Sequence, residues 1–353
     1  MADGPLTRNE SFIGKVAIVA AAVLLVLLVF ALRHVLLLVF GAILISVGLR
    51  GLADAIENHT PLGRRAALAA SGFIVLGVIV GAIWMLGAQI SAQLAQLFDS
   101  LPAAWDQLRT RLAENEYGRT LMRELEGAMS NGGAAGHLGA FARRVGSFTM
   151  SAAGATLQML IVIIAAVFLT IDADTYRDGA LALAPKEGRG KLREAMRASS
   201  SALRKWLLGT LVSMLFLGTV MTIGLWLLGV PAPLALGLLS GLAQFVPLIG
   251  PILAAGPGIL LAFTVDLQTA LWVTLLYFAA SQIEANLVTP LIQQRAVSLP
   301  PALTLFAVIA AGLVLGPLGA LFATPLVVVI SVFVVMFYVR GVLGDADAKL
   351  PGA

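Results

Sequence analysis

Apolar residues run along this chain in long blocks, and polar residues gather between the blocks instead of alternating within them. Val16 to Leu32 is the first block and Val35 to Leu49 the second, with only Arg33 and His34 between. Ala66 to Leu86 and Phe148 to Ile171 follow, then Trp206 to Val230, Leu234 to Val265, Leu267 to Pro290, and a last run after Pro300-Pro301. Since roughly 20 apolar residues of helix cross a bilayer core, the pattern predicts an all-α polytopic membrane protein of about eight hydrophobic segments. The chain divides into membrane helices within 1–88, an extramembrane amphipathic segment at 89–146, a fourth membrane helix at 147–171, a basic cytoplasmic stretch at 172–205, a carboxyl-terminal membrane domain at 206–340 and a tail at 341–353.

The first block follows Arg8 and Lys15, as the apolar part of a signal peptide does. Its seventeen residues exceed the usual length of such a region, so it reads as a retained first span. The second block is short, and a tight helical hairpin at Arg33-His34 is the expectation, with the charged segment Arg50 to Arg65 returning to one face.

After the third span the apolar positions keep helical spacing at Leu94, Leu97, Phe98, Leu101, Trp105, Leu108 and Leu112. An amphipathic helix continuing out of the membrane is predicted, followed by a second amphipathic piece around Leu121, Leu125 and Met129 and a glycine-rich turn from Asn131 to Gly139. Its stripe either packs a small extramembrane domain on itself or meets neighbouring subunits; Trp105 and Phe98 are the large groups that a neighbour would cover.

Beyond the fourth span, Asp172 to Lys205 carries eight Lys or Arg against five acids. Arg189, Arg193 and Arg197 form one row opposite Leu192, Met196, Ser199 and Leu203. Such a helix suits an anionic membrane surface, or is simply a solvated basic face. With the amino terminus inside, residues 50–65, 172–205 and the tails, with Arg340 at the edge of the last, hold fifteen of 23 basic residues, in keeping with positive-inside placement.

Two runs in the carboxyl-terminal half are interrupted. Leu234 to Val265 is broken by Pro247-Leu248-Ile249-Gly250-Pro251, and the last run by Gly316-Pro317-Leu318-Gly319 with Pro325 following. Proline removes a backbone donor and ends or kinks a helix. Opened backbone survives at membrane depth only where protein or a wet cavity satisfies it. Broken or re-entrant helices are therefore expected, and paired interrupted segments point to a transporter's solute site. The side of the carboxyl terminus depends on whether each broken segment crosses or re-enters.

Between the breaks, Leu267 to Pro290 ends with Gln282, Glu284 and Asn286 before Thr289-Pro290. Gln282 and Asn286 share a helix face, while Glu284 points elsewhere. Glu284 either pairs with Arg295 in a structural role, forms a polar wall for solute, or carries a coupled proton. Gln244, three residues before the first break, and Gln158 in the fourth span are lesser candidates. The candidate transport path is thus Gln244, Pro247, Gly250, Pro251, Gln282, Glu284, Asn286, Pro290, Gly316 and Pro317.

Composition narrows the chemistry further. The 353 residues are 59% hydrophobic and 12% charged, and Trp206 to Val265 holds no charge at all. Cysteine is absent, which removes disulfides and thiolate chemistry, and His34, His59 and His137 have no metal-ligand spacing. There is no phosphate-cradling loop, zinc-protease helix or nucleophile elbow, so neither an enzyme nor an ATP motor is indicated, and no cofactor or metal is expected. The net charge of +4 is explained by positive-inside placement, without nucleic acid as a partner.

Several stretches resemble one family. They are Gln244-Phe245-Val246-Pro247-Leu248-Ile249-Gly250-Pro251, Glu284 through Ile292, Leu299-Pro300-Pro301, Leu315 through Gly319, and Ala323-Thr324-Pro325-Leu326. Together they resemble the autoinducer-2 exporter family, the PerM-like permeases, over nearly the whole chain. The resemblance implies a bacterial inner-membrane protein of eight spans or so that forms a homo-oligomer, with a pentamer as the family's form. It implies transport of a small polar solute, either export of the quorum-sensing furanone precursor autoinducer-2 or exchange of sodium or lithium for protons. Membrane lipid is the other expected partner. A different class of function, a non-transporting scaffold using the extramembrane segment or the basic loop, is compatible with the size of those segments.

Overall fold

The computed structural model describes residues 20, 23–24, 27–113, 119–120, 152–247, 249–288 and 300–350. The second amphipathic piece, the glycine-rich turn, His137, Pro290, Arg295 and about half of the first apolar block lie outside them. Among the described residues the regular elements are all helical. The principal ones are α1 (Arg33–His59), α2 (Arg64–Ala113), α3 (Ala152–Ile171), α4 (Ala173–Ala182), α5 (Arg189–Leu227), α6 (Pro233–Ala243), α7 (Ile249–Val265), α8 (Leu267–Ile283), α9 (Pro301–Leu315) and α10 (Pro317–Phe333). A π-helical turn prolongs α8 through Glu284–Val288 and another prolongs α10 through Val334–Val339.

Five stretches are long and apolar enough to cross a membrane: α1, Arg64–Ala82 of α2, Lys186–Leu227, Leu267–Val288 and Pro317–Val339. α3 and α4 form a pair bent by 85°, and α6, α7 and α9 are shorter apolar helices. The chain is a polytopic all-α membrane protein.

The tight hairpin expected at Arg33-His34 is not formed. The Leu32 amide donates to the Leu28 carbonyl and the Leu36 amide to the Leu32 carbonyl, both at 2.9 Å, so helical bonding carries through the junction. Neither Gly nor Pro stands there to reverse the chain, and the Arg33 guanidinium lies 4.1 Å from the Phe30 ring centroid one turn back. α1 runs on into the charged segment as far as His59.

Charged residues fasten one end of the bundle. Arg50 donates twice to the Thr170 carbonyl, at 3.1 and 2.7 Å, tying α1 to the carboxyl end of α3. Arg204 of α5 reaches Asp54 at 2.9 Å and the Gly51 carbonyl at 2.7 Å, and Arg64 also pairs with Asp54, at 3.1 Å. These bonds define a basic end, from which α2 and α5 rise.

α5 is one helix of 39 residues, about 58 Å long. It carries the basic row and the charge-free span on a single rod. The face opposite Arg193 and Arg197 is covered by protein: Ala195, Ala202, Leu203 and Trp206 share a core with Leu44 of α1 and Val328, Val332 and Met336 of the α10 region. Leu350 packs against this same core, and Arg340 donates twice to the Ala348 carbonyl, at 2.9 and 2.6 Å. The described carboxyl-terminal tail therefore lies at the basic end.

α2 is longer still, at 50 residues or about 75 Å, well beyond a hydrocarbon core of about 30 Å. The third span and the amphipathic helix are one continuous element, running across the division expected near residue 88. The inner part of its stripe neither folds on a separate domain nor stands open for a neighbour. Leu97 and Ala104 are buried, with Leu94 and Leu101 beside them, against a core built from α5 to α8. Trp105 is half-buried.

Candidate functional site

Both interrupted runs reverse direction. Ser240 of α6 and Gly258 of α7 are 18 residues apart, about 27 Å if the helix continued. Yet both meet the Tyr277 hydroxyl: Ser240 lies 3.2 Å from it, and a β-carbon at Gly258 would stand 2.6 Å from it. The chain must turn back between them, so α6–α7 is a hairpin. Its two open ends gather in one core, with Val230, Ala232, Ala235 and Leu236 beside Leu261, Ala262 and Ala270.

The same reasoning applies to α9–α10. A β-carbon at Gly312 would lie 3.4 Å from the Ala320 side chain, and one at Gly319 would collide with the Ala311 carbonyl. Gly316 at the pivot has φ 79° and ψ −164°, a conformation open essentially to glycine alone. Because α10 leads down to Met336 and the basic end, this second hairpin opens there, whereas α6–α7 opens at the opposite end. The interrupted segments are two hairpins entering the bundle from opposite ends, with α6 and α9 about 16 and 22 Å long and too short to cross alone.

The tip of α6–α7 is closed by its own backbone. The amides of Gln244, Phe245, Val246 and Gly250 donate to the carbonyls of Ser240, Leu242, Ala243 and Val246 at 2.9 to 3.2 Å. Gly250 is required because a β-carbon there would strike the Ala243 carbonyl oxygen. Phe245 leaves the turn to pack edge-on to Trp206, with ring centroids 5.5 Å apart.

One turn of α5 receives both this tip and the end of α8. A β-carbon at Gly241 would stand 2.7 Å from the Met214 carbonyl oxygen, so α6 lies backbone to backbone on α5. One residue earlier, the Ser213 hydroxyl donates to Glu284 Oε1 at 2.8 Å. Ser213 is nine residues past Arg204, about 14 Å along the helix, and Gln244 is eleven past Pro233, about 17 Å from the other end. Taking Arg204 and Pro233 to mark the two faces of a hydrocarbon core of about 30 Å, both positions lie near half its thickness.

The polar groups gathered at this depth are not all satisfied. Ser240 Oγ donates to the Leu236 carbonyl at 2.8 Å, so its single proton is spent and Tyr277 is the donor in the pair they make. Thr210 and Ser213 line the buried face of α5. Gln244 is only 6% exposed, and its Oε1 has no hydrogen-bond partner among the described residues. A buried acceptor left unmade costs free energy, and such groups in native proteins call for an explanation.

The expected path residues divide accordingly. Gln244, Pro247, Gly250 and Pro251 belong to the first tip, and Glu284 joins that level through Ser213. Gln282 and Asn286 do share a face, since Asn286 donates to the Gln282 carbonyl at 2.9 Å, but both side chains are exposed on the outside of the chain. Gly316 and Pro317 sit at the tip of the other hairpin. Ser213, Ser240 and Tyr277 belong to the same group, though no sequence pattern singles them out. Isolated hydroxyls in charge-free runs were the available signal, but serine is common enough in membrane helices to carry little information alone.

A sequence profile described as AI-2E family transporter matches residues 17–338. The chain belongs to that family. Among curated relatives, it is 32% identical to "Putative transport protein YrrI" of Bacillus subtilis over 155 residues, 44% of either chain. It is 23% identical to "Putative transport protein YueF" of the same organism over 274 residues, 74% of this chain and 73% of that one. A third, "Putative transport protein MT0215" of Mycobacterium tuberculosis, is 34% identical over 144 residues, 40% of this chain and 39% of its own length. The alignments to YrrI and MT0215 thus span less than half the length of those relatives, and YueF supports likeness over most of the chain. The AI-2E family member thus shares its similarity with proteins named "Putative transport protein".

Proposed function

We propose that this protein is a secondary exporter of a small polar solute across the bacterial inner membrane, with autoinducer-2 as the candidate solute. The basic end is cytoplasmic on this reading, because Lys and Arg concentrate there. The carrying observation is the buried, unpartnered Gln244 Oε1 at half-depth, on a hairpin tip lying against α5. A hydroxyl-bearing solute supplies the donor that this acceptor lacks. The assembly is a homo-oligomer in a lipid bilayer, following the family resemblance.

The test is efflux of autoinducer-2 from vesicles containing the purified protein. Gln244→Leu, which keeps volume and removes the acceptor, should reduce flux about tenfold or more while leaving native mass unchanged, the worth of one well-placed hydrogen bond in an apolar site. Flux equal to wild type in that variant would refute the assignment. Wild-type silence across a broad solute panel would favour the scaffold.

One observation supports a second reading, cation/proton antiport. Glu284 is the carboxylate that Ser213 holds at half-depth, and a coupled proton needs such a titratable group. Full pH-driven sodium or lithium flux in Glu284→Gln would remove this mechanism.

A further inference from the structure

The opposite end of the α6–α7 hairpin has an unusual fastening. A helix begins with amide donors that have no intrahelical acceptor, and a side-chain oxygen at the residue before the helix ordinarily accepts from one of them. Here that residue is Ala232, in the left-handed region at φ 54°, and alanine has no such oxygen. Pro233 occupies the first helical position and removes one donor. The next two donors, the amides of Leu234 and Ala235, go instead to Gln93 Oε1, at 2.8 and 3.2 Å.

Gln93 is 141 residues away in sequence from Leu234, on α2. It stands 29 residues beyond Arg64, about 44 Å along the helix and past Arg64–Ala82, the stretch of α2 apolar enough to cross a membrane. The residues that follow it on the same arm, Leu94, Leu97, Leu101 and Ala104, pack on the core that contains both open ends of the hairpin. The arm therefore grips the hairpin at its mouth, and Gln93 supplies the directional part of the grip. Apolar contacts allow helices to slide; one amide oxygen bonded to two successive amides fixes both depth and rotation.

We propose that Gln93 is a positioning residue, a latch by which the extramembrane arm of α2 sets the depth and rotation of the α6–α7 hairpin and so the place of Gln244 at its tip. The hairpin is rigid enough to transmit the setting: α6 has eleven residues, and Ala235, Leu236 and Ser240 along it are all fully buried. The consequence for flux rests on the transporter reading above; the latch itself does not.

The chain has no cysteine, so a single Ala235→Cys in the full-length protein reports on the latch through its reaction with a water-soluble thiol reagent. Ala235 is 0% exposed, and its thiol should react slowly with Gln93 in place. Adding Gln93→Leu should accelerate labelling about tenfold or more, as the loss of two ordinary hydrogen bonds predicts. Gln93→Glu keeps an acceptor of the same reach and should remain close to the parent. Equal rates in the parent and Gln93→Leu would overturn the latch, as would a Gln93→Glu variant as fast as Gln93→Leu. If Gln93→Leu does not assemble, amide hydrogen exchange of the unmodified protein decides: protection at Leu234 and Ala235 matching the middle of α6 supports the latch, and exchange like that of an uncapped helix end overturns it.

In autoinducer-2 efflux, Gln93→Leu should raise KM severalfold, because the solute's acceptor is displaced, and Gln93→Glu should restore it. Faster labelling with unchanged KM would sever the latch from Gln244 and overturn the positioning role. Altered labelling with no flux from any form, wild type included, would reject the transporter reading and leave the latch standing.

Discussion

The Ser240–Tyr277 pair makes a prediction whose sign comes from proton assignment alone. Ser240 spends its proton on the Leu236 carbonyl, so the pair at 3.2 Å is a Tyr277 hydroxyl donating to Ser240 Oγ. Ser240 is fully buried and Tyr277 is 5% exposed, so water does not easily replace either partner. Tyr277→Phe removes the donor and leaves a hydroxyl oxygen that still makes its own bond to Leu236. The cost should be about 1 kcal/mol, that of an ordinary net hydrogen bond. Ser240→Ala removes the acceptor and strands a buried phenolic proton, for about 1–3 kcal/mol. The double variant should cost less than the sum of the two, because with both polar groups gone nothing is left unsatisfied. Denaturant unfolding in a mild detergent, followed by tryptophan fluorescence, measures all three. A Tyr277→Phe variant less stable than Ser240→Ala, or strict additivity in the double variant, would refute this account of the pair.

Two further outcomes concern the hairpin turns. Gly250→Ala drives a β-carbon into the Ala243 carbonyl, whereas a β-carbon at Gly256 on the same helix meets nothing within 4 Å. The first should shift the unfolding midpoint strongly or prevent assembly, and the second should stay within about 0.5 kcal/mol of wild type, as surface-like substitutions do; similar values for the two would show that the turn relaxes. Gly316→Ala must hold φ 79° and ψ −164° with a side chain, at a cost of about 1–3 kcal/mol in the same unfolding assay, and no loss there would mean that the α9–α10 pivot has an alternative geometry.

What the sequence disclosed and what it withheld follow from the range of the interactions concerned. Span placement and the two breaks rest on local chemistry, on runs without charge and on Pro and Gly whose backbone effects act where they stand; these were legible. Arg33-His34 misled because a short polar pair between apolar blocks imitates a turn. Without a helix breaker, though, the bonds from Leu32 to Leu28 and Leu36 to Leu32 continue unbroken. The amphipathic stripe of α2 was visible, but its cover was not. Leu97 and Ala104 pack on helices more than a hundred residues later in the chain, and spacing on one helix says nothing about which distant surface receives it.

The direction of each hairpin was withheld for the same reason, and direction is what gives the site its form. Proline at 247 and 251 opens a helix whether the chain then crosses or returns. Return is decided by Gly241 lying on the Met214 carbonyl, Gly250 on Ala243, and Tyr277 joining Ser240 to the Gly258 stretch, all contacts between separate helices. Once α6–α7 returns toward the end where Gln93 stands and α9–α10 returns toward the basic end, their tips are pressed into the bundle from opposite ends, and the carboxyl-terminal tail falls beside the basic stretch without any additional crossing. The same closure explains how Gln244, a lesser candidate as an isolated membrane glutamine, comes to hold an unmade acceptor. At the end of a continuous helix it would bridge to a neighbour, but at the tip of a short arm sealed by its own backbone bonds, its side-chain acceptor is left over at half-depth.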